Sequence, residues 1–369
     1  MTSPLTSSPR EDGYRMPAEF EPHAKTWMLW PERPDNWREA AFPAQKAFAE
    51  VAKAISQFEP VTMGANPTQL EQARDMLPSY VSVVKVANND AWIRDCGPTF
   101  VSNTSGHVRG IDWIFNAWGG LEGGLYNPWD LDNAVPQKVL EMEGLDRYQA
   151  PIVLEGGSIH VDGEETLITT EECLLNPNRN PMLSRDQIEN VLMRYLNVSK
   201  IIWLGAGVFN DETSGHVDNL CCFLRPGVVA LTWTDDKNDP QYEISHDAYH
   251  RLERAIDARG RKLEIHRLHQ PDPVTITQAE ARSVKLVEGT KARNAGDRMA
   301  ASYVNFYLCN QGAILPTFDD PHDLVALDTM QWLMPERKVV GVPAREILLG
   351  GGNIHCITQQ QPWGKRRNK

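Results

Sequence analysis

The chain has 369 residues, 41% of them hydrophobic and 11 of them tryptophan, enough for a large core, and 37 basic against 49 acidic residues leave a formal charge of −12. That sign repels a nucleic-acid phosphate backbone and favours a cationic ligand. No apolar run approaches the roughly 18 residues of a membrane span, the first residues lack the apolar stretch of a secretory signal, and the six cysteines show no CxxC spacing, so the expectation is a cytosolic protein with free thiols and neither a disulfide framework nor a zinc knuckle.

Residues 1–13, rich in Ser, Pro and charge, read as a disordered lead-in, followed by one domain over 14–369 with no long linker. Pro43 suits a helical first turn, and Phe48, Val51 and Ile55 mark the buried face of a helix running to Phe58. Asn66 is placed to cap a second helix carrying Leu70 and Ala73, and Tyr80–Val86 follows as a strand. Ser184 and Gln187 form a capping-box pattern ahead of Ile188, Val191, Leu192 and Tyr195, and that helix leads into a strand at Ile201–Leu204. The same order returns twice: Tyr242–Ala258, stopped by Gly260, before Leu263–Leu268, and Asp323–Leu333, stopped by Pro335, before Val339–Val342. Lys365–Lys369 reads as a solvated basic tail.

A helix feeding a strand is therefore the repeating unit, and a second signal of repetition lies in IVLEGGSIHV (Ile152–Val161) and ILLGGGNIHC (Ile347–Cys356). Six of the ten aligned positions are identical, 195 residues apart, with Glu155 facing Gly350 and Val161 facing Cys356. The second copy reads as a short apolar strand opening on three glycines with a cysteine at its end. Such a thiol is either a core cysteine or a nucleophile held on a tight scaffold, and the segment by itself does not choose.

Polar motifs follow three of the strands. Asp95 lies in WIRDCGP where a turn begins, and Glu155 follows an apolar run where an unpartnered acid is costly. His216 and Asp218 flank Val217, so on a strand both point to one face. Asp95, Glu155 and His216 are spaced by 60 and 61 residues, which suits one group from each repeat converging on a centre. The plain alternatives are a structural His–Asp pair and an Asp95 that caps a turn or pairs with Arg94. No third ligand stands at metal-binding spacing, so no metal site is expected. One thiol, one imidazole and three carboxylates suit hydrolysis of a guanidinium: carboxylates grip the planar cation by charge-assisted hydrogen bonds, a thiolate attacks its carbon, and a His protonates departing ammonia and then activates water. This scheme needs no cofactor.

The segments MPAEFEPH, TWMLWPERPDNWR, NDAWIRDCGPTFV, LEGGSIHVDGE, NPNRNP, GHVDNL, AGDRMAASYVNFYLCNQG and ILLGGGNIHCITQQQP resemble those of the agmatine deiminases, within the guanidine-modifying pentein superfamily. They run from about Tyr14 to Pro362; Phe20, where Trp is more usual, is a small departure outside the chemical positions. The resemblance implies an α/β fold, a five-bladed propeller with pseudo-fivefold symmetry. It also implies roles: Cys356 as nucleophile, His216 as general acid and base, Asp95 and Asp218 gripping the guanidinium, and Glu155 orienting His216 or sharing that grip. The implied reaction converts agmatine and water to N-carbamoylputrescine and ammonia, a step toward putrescine and the polyamines.

For the distal ammonium of agmatine, Trp92 offers an aromatic face, and Asp211 and Glu212 offer carboxylates unless they belong to a solvated loop. Within the superfamily the alternatives are a peptidyl-arginine deiminase and, further off, an arginine deiminase or amidinotransferase. A non-catalytic ribosome anti-association protein fits the acidic charge poorly. The expected partner is a small cationic guanidine, with no nucleic acid and no membrane, and a homo-oligomer is compatible with the sequence.

Overall fold

Residues 4–364 are described in the computed structural model. Among them the strands form five small sheets, of four, three, three, three and four strands. In each, an antiparallel pair is joined by a third, parallel strand, and a parallel neighbour requires a crossover connection. A helix supplies that crossover every time. In the first sheet Thr99–Asn103 and Val108–Ile114 are the hairpin, Val135–Glu143 the helix and Arg147–Val153 the third strand. The second has Ile159–Val161 and Thr166–Thr170, then helix Arg185–Leu196 and strand Lys200–Leu204. The third runs Cys221–Arg225, Val228–Trp233, helix Gln241–Arg254 and Glu264–His269. The fourth runs Tyr307–Cys309, Gly312–Thr317, helix Asp323–Leu333 and Lys338–Pro343.

The fifth sheet joins the two ends of the chain. Gln359–Pro362 pairs antiparallel with His23–Leu29, which runs parallel to Val61–Ala65 across helix Phe42–Ile55, and Ser82–Lys85 adds a fourth strand. Local chemistry explains the helices. Ser184 and Gln187 close the expected capping box, Pro43 stands in the first turn of its helix, and Phe48, Val51 and Ile55 are fully buried. Each such side chain contributes roughly 1.5–3 kcal/mol by leaving water.

Several expectations need correction. Residues 4–13 are not a disordered lead-in: Leu5 bonds the carbonyl of Arg147, Ser8 is buried and held by Glu11, and Asp12 accepts from Tyr148. Their polar groups find partners on the first sheet, which low hydrophobicity does not forbid. Asn66 caps no helix, because its amide bonds Glu32 and the backbone of Asn88 instead, and the helix that follows is confined to Leu70–Met76. Gly260 terminates nothing, since the preceding helix ends at Arg254 and Gly260 sits in a turn at φ +80°. Lys365–Lys369 lies outside the described residues.

The largest correction concerns the paired motifs. Ile347 lies in a helical turn, Arg345–Leu348, and Cys356 in a 3-10 turn, His355–Ile357, so neither is on a strand. The turn that corresponds to His355–Ile357 in the second unit is Gly156–Ser158, just ahead of strand Ile159–Val161. The sequence repeat is thus four residues out of register with the structural one. His216 and Asp218 likewise do not share a strand: His216 precedes the 3-10 turn Val217–Asn219.

Candidate active site

In four of the five sheets the antiparallel pair is entered through a single helical turn, at Ile93–Cys96, Gly156–Ser158, Val217–Asn219 and His355–Ile357. A turn that tight sends adjacent side chains in different directions. These four turns bring Asp95, Glu155, His216, Asp218 and Cys356 together, each of them buried. The Nε2 of His216 faces Glu155 Oε2 at 3.5 Å and its Nδ1 faces Asp95 Oδ1 at 3.8 Å. Neither ring nitrogen has a hydrogen-bond partner among the described residues, and Asp218 Oδ1 is equally bare. The Sγ of Cys356 lies 3.7 Å from Asp218 Oδ2 and 3.5 Å from Asn305 Nδ2.

Gly157 sits in the middle. Its amide donates to Asp95 Oδ1 at 3.0 Å, and a Cβ there would stand 2.6 Å from His216 Nδ1 and 2.9 Å from carboxylate oxygens of Asp218 and Asp95. The close convergence of three polar groups is possible because this residue has no side chain. Gly351 answers a backbone need, at φ +106°.

The charges set the protonation pattern. Burial, with help from the Asp218 and Asp95 charges, pushes the Cys356 thiol well above its ordinary range. Burial and the Asp218 and Glu155 charges likewise lift Asp95, to about 6. Burial opposes charge on His216, yet Asp95 and then Cys173 and Glu155 raise its pKa well above the ordinary value. Asp218 and Glu155 are pulled down despite burial, by His355 and by Arg179 respectively. Carboxylates thus outnumber the single imidazole they face, and their charge favours its protonated form while opposing ionisation of the thiol.

Above these groups opens a cavity lined by Trp92, Trp118, Tyr126, Asp95 and Cys356 among others. Trp92 is fixed by Asp90 at 2.9 Å and by stacking on Trp37 with centroids 5.2 Å apart. Trp118 donates to Asp95 Oδ2 at 3.0 Å. The structure brings Cys356, His216, Asp95, Asp218, Glu155 and Trp92 together, and Asp211 and Glu212 stand beside them with partners of their own. Asp211 is absorbed by its own loop, accepting from the amides of Thr213 and His216. Glu212 is held by Arg293 at 2.7 Å and Lys291 at 3.7 Å, beside the cavity rather than in its wall.

This arrangement finds its counterparts among known proteins. A family model described as Porphyromonas-type peptidyl-arginine deiminase matches residues 15–362. An agmatine deiminase of Pseudomonas aeruginosa strain LESB58 is 59% identical over 364 residues, covering 98% of this chain and 99% of that one. The chain belongs to this family, and within it to the agmatine deiminases. An agmatine deiminase of Ectopseudomonas mendocina strain ymp is 56% identical, covering 97% and 98% of the two chains. A solved structure described as the agmatine deiminase of Enterococcus faecalis catalysing its reaction superposes with a TM-score of 0.96 at 51% identity, covering 99% of this chain and 100% of that one. The mixed α/β fold is accordingly the pentein fold of those enzymes.

Sequence reasoning missed Arg179, Trp118 and Asn305. Arg179 is buried in the Asn-Pro-Asn-Arg-Asn-Pro segment and pairs with Glu155 at 2.7 Å while donating to the carbonyls of Trp118 and Thr213. Its signal was the costly isolated acid at Glu155, which required a cation from somewhere. Arg179→Met is expected to destabilise the fold by about 3–5 kcal/mol by leaving Glu155 buried and unpaired, read as a lower urea midpoint. Adding Glu155→Gln should return a good part of that loss, and no recovery would separate the stability effect from the ion pair.

Proposed function

We propose that this chain hydrolyses the guanidinium group of agmatine, giving N-carbamoylputrescine and ammonia, through a covalent intermediate on Cys356. The observation that carries the reading is the meeting of a thiol, an imidazole and bare carboxylate oxygens around one small gap at the foot of an aromatic cavity. A planar cation entering that gap supplies the charge the site lacks. Asp95 and Asp218 accept its N–H groups, and its positive charge offsets the carboxylates that keep the thiol protonated, so Cys356 releases its proton to solvent as substrate arrives.

The thiolate then attacks the guanidinium carbon. His216 donates its proton to the departing nitrogen, which leaves as ammonia, and the carbon remains bound to sulfur as an amidino-thioether. With its proton gone, His216 takes one from a water that adds to the same carbon. Collapse breaks the carbon–sulfur bond, delivering the carbamoyl product and restoring the thiol. Glu155, anchored by Arg179, holds the imidazole through both steps. The five sheets, each an antiparallel pair with a parallel third strand, suit a five-bladed propeller arranged around this site.

The choice of an amine over an amino acid rests on the cavity walls. Each basic side chain that lines it already faces an acid: Arg33 meets Asp35 at 2.7 Å, and Arg293 and Lys291 meet Glu212. Among the described lining residues a substrate carboxylate meets no cation without an acid beside it, although Arg293 and Lys291 share Glu212, whereas Trp92, Trp118 and Tyr126 suit a methylene chain with a positive end. A peptidyl-arginine deiminase, the reading in the family model's own description, is the alternative. Ammonia release compared across agmatine, free arginine and a peptide ending in arginine decides between them: kcat/KM should favour agmatine by at least about 100-fold, as expected when one buried charge lacks a partner. A preference for the peptide would reverse the assignment.

A further inference from the structure

Two histidines occupy matching places in the sequence repeat, His160 and His355, and the reaction above uses neither. Both lie behind the site, with ring centroids 6.1 Å apart. His160 accepts from the amide of Phe223 at its Nδ1, and burial lowers its pKa to about 4, so it is a neutral ring doing structural work. His355 is different. Its Nδ1 stands 2.8 Å from Asp218 Oδ2 and its Nε2 stands 2.8 Å from Glu19 Oε2, with all three side chains buried. A carboxylate only accepts, so a ring held between two of them donates from both nitrogens.

The row continues. Glu19 Oε2 meets Arg94 at 3.2 Å and Oε1 accepts the amide of Leu308 at 2.8 Å, while Arg94 also donates to Gln360 and to the carbonyl of His355. Charge alternates along Arg94, Glu19, His355 and Asp218, and cancels. Two members of the row are chain-adjacent to reacting groups: Arg94 precedes Asp95, and His355 precedes Cys356. Each of the two turns thus sends one side chain forward into the site and its neighbour back into the row.

The consequence falls on Asp218. Its Oδ2 is occupied by His355, and its Oδ1 is buried with no partner. A carboxylate tethered through one oxygen presents the other in a fixed direction. The geometry points to His355 as a positioning residue, which clamps Asp218 from behind so that the bare Oδ1 meets a substrate guanidinium in register with the Cys356 sulfur. This inference rests on the guanidinium reading of the site and adds to it the residue that sets one arm of the grip.

The test uses two alkylating agents on the full-length enzyme. Chloroacetamidine is a cationic amidine and needs the carboxylates to place its reactive carbon, whereas iodoacetamide is neutral and reports on the Cys356 thiol alone. The ratio of their rates on Cys356, located by peptide mass, isolates the grip. In His355→Asn the shorter amide retains a donor where Nδ1 stood; in His355→Gln the longer one reaches Glu19 and leaves Asp218 without its donor. The ratio should fall about 30-fold in His355→Gln and no more than about 3-fold in His355→Asn, the scale of one hydrogen bond to a buried charge. Equal losses with both agents, leaving the ratio unchanged, would make His355 a merely structural residue and overturn the proposal. Should His355→Gln fail to fold, Glu19→Gln retains the imidazole and removes the charge behind it; the ratio should drop about 5-fold, and an unchanged ratio overturns the proposal equally. A wild-type enzyme with no preference for the amidine would overturn the guanidinium reading as well, so the two failures are distinct.

Discussion

Cys356→Ser is expected to lower kcat on agmatine by about four orders of magnitude or more, as removal of a nucleophile does elsewhere, while agmatine binding stays within about 3-fold of the wild type. The surroundings of Cys356 explain the size of the effect. Among the described residues no imidazole hydrogen-bonds its sulfur, whose partners are the weakly basic carboxylate of Asp218 at 3.7 Å and the amide of Asn305 at 3.5 Å. The thiol depends on the substrate's own charge to ionise, and that charge is insufficient for an alcohol, whose pKa lies far higher. The carboxylates that grip the guanidinium are untouched by the substitution, so binding survives. Calorimetric titration with agmatine and single-turnover kinetics read the two quantities separately. Retained turnover would remove Cys356 from the reaction, and lost binding would show that the thiol has a role in holding substrate.

The second large effect is expected at Gly157, a residue with no chemistry of its own. Gly157→Ala places a methyl 2.6 Å from His216 Nδ1 and 2.9 Å from oxygens of Asp218 and Asp95. Those neighbours cannot easily move aside, because Asp95 is held by the Gly157 amide and Trp118 and Asp218 is held by His355. The methyl therefore displaces the groups around the substrate's carbon by a sizeable fraction of an ångström or blocks that space outright. We expect kcat/KM to fall by about 10²-fold or more, the scale of a small misplacement in a catalytic site, with only about 1–3 kcal/mol of stability lost to overpacking. Melting curves recorded beside kinetics separate the two, and an active Gly157→Ala enzyme would mean that these side chains do not work at the distances described.

Much of this was legible in the sequence, for identifiable reasons. Helices with strong local signals, such as Arg185–Leu196 behind Ser184 and Gln187, stand within a residue or two of where periodicity and capping put them. The convergence of Asp95, Glu155 and His216 was visible in their near-equal spacing, since repeated units of similar length place corresponding turns at similar intervals. What misled was treating a resemblance between segments as a structural register. Ile152–Val161 and Ile347–Cys356 match in letters, but the chain path around the second is set by Gly351 at φ +106° and the helical turn before it. Alternation on a strand was likewise the wrong frame for His216 and Asp218, because a 3-10 turn intervenes. Arg179, Trp118 and Glu19 act through partners distant in sequence, and no local pattern announces a pairing across 24, 23 or 336 residues.

Asp211 and Glu212 make the same point from the other side. Adjacent acids beside the His216 motif suggested a seat for a substrate amine, yet a loop that must satisfy its own amides takes Asp211, and a cation from residue 293 takes Glu212. Burial lifts the pKa of Asp211, while Arg293 lowers that of Glu212 against the same burial. The two neighbours therefore have opposite electrostatic fates, set entirely by what the tertiary fold brings to them.

In the proposed reaction a covalent bond joins Cys356 to the substrate's guanidinium carbon. The most direct measurement mixes enzyme with excess agmatine, quenches in acid during turnover and maps the mass of the peptide that contains Cys356. This peptide should gain the mass of agmatine less ammonia, the gain should disappear as substrate is exhausted, and Cys356→Ser should show none. Steady ammonia release with the Cys356 peptide unmodified at every quench time, or the adduct on a different residue, would contradict that reaction.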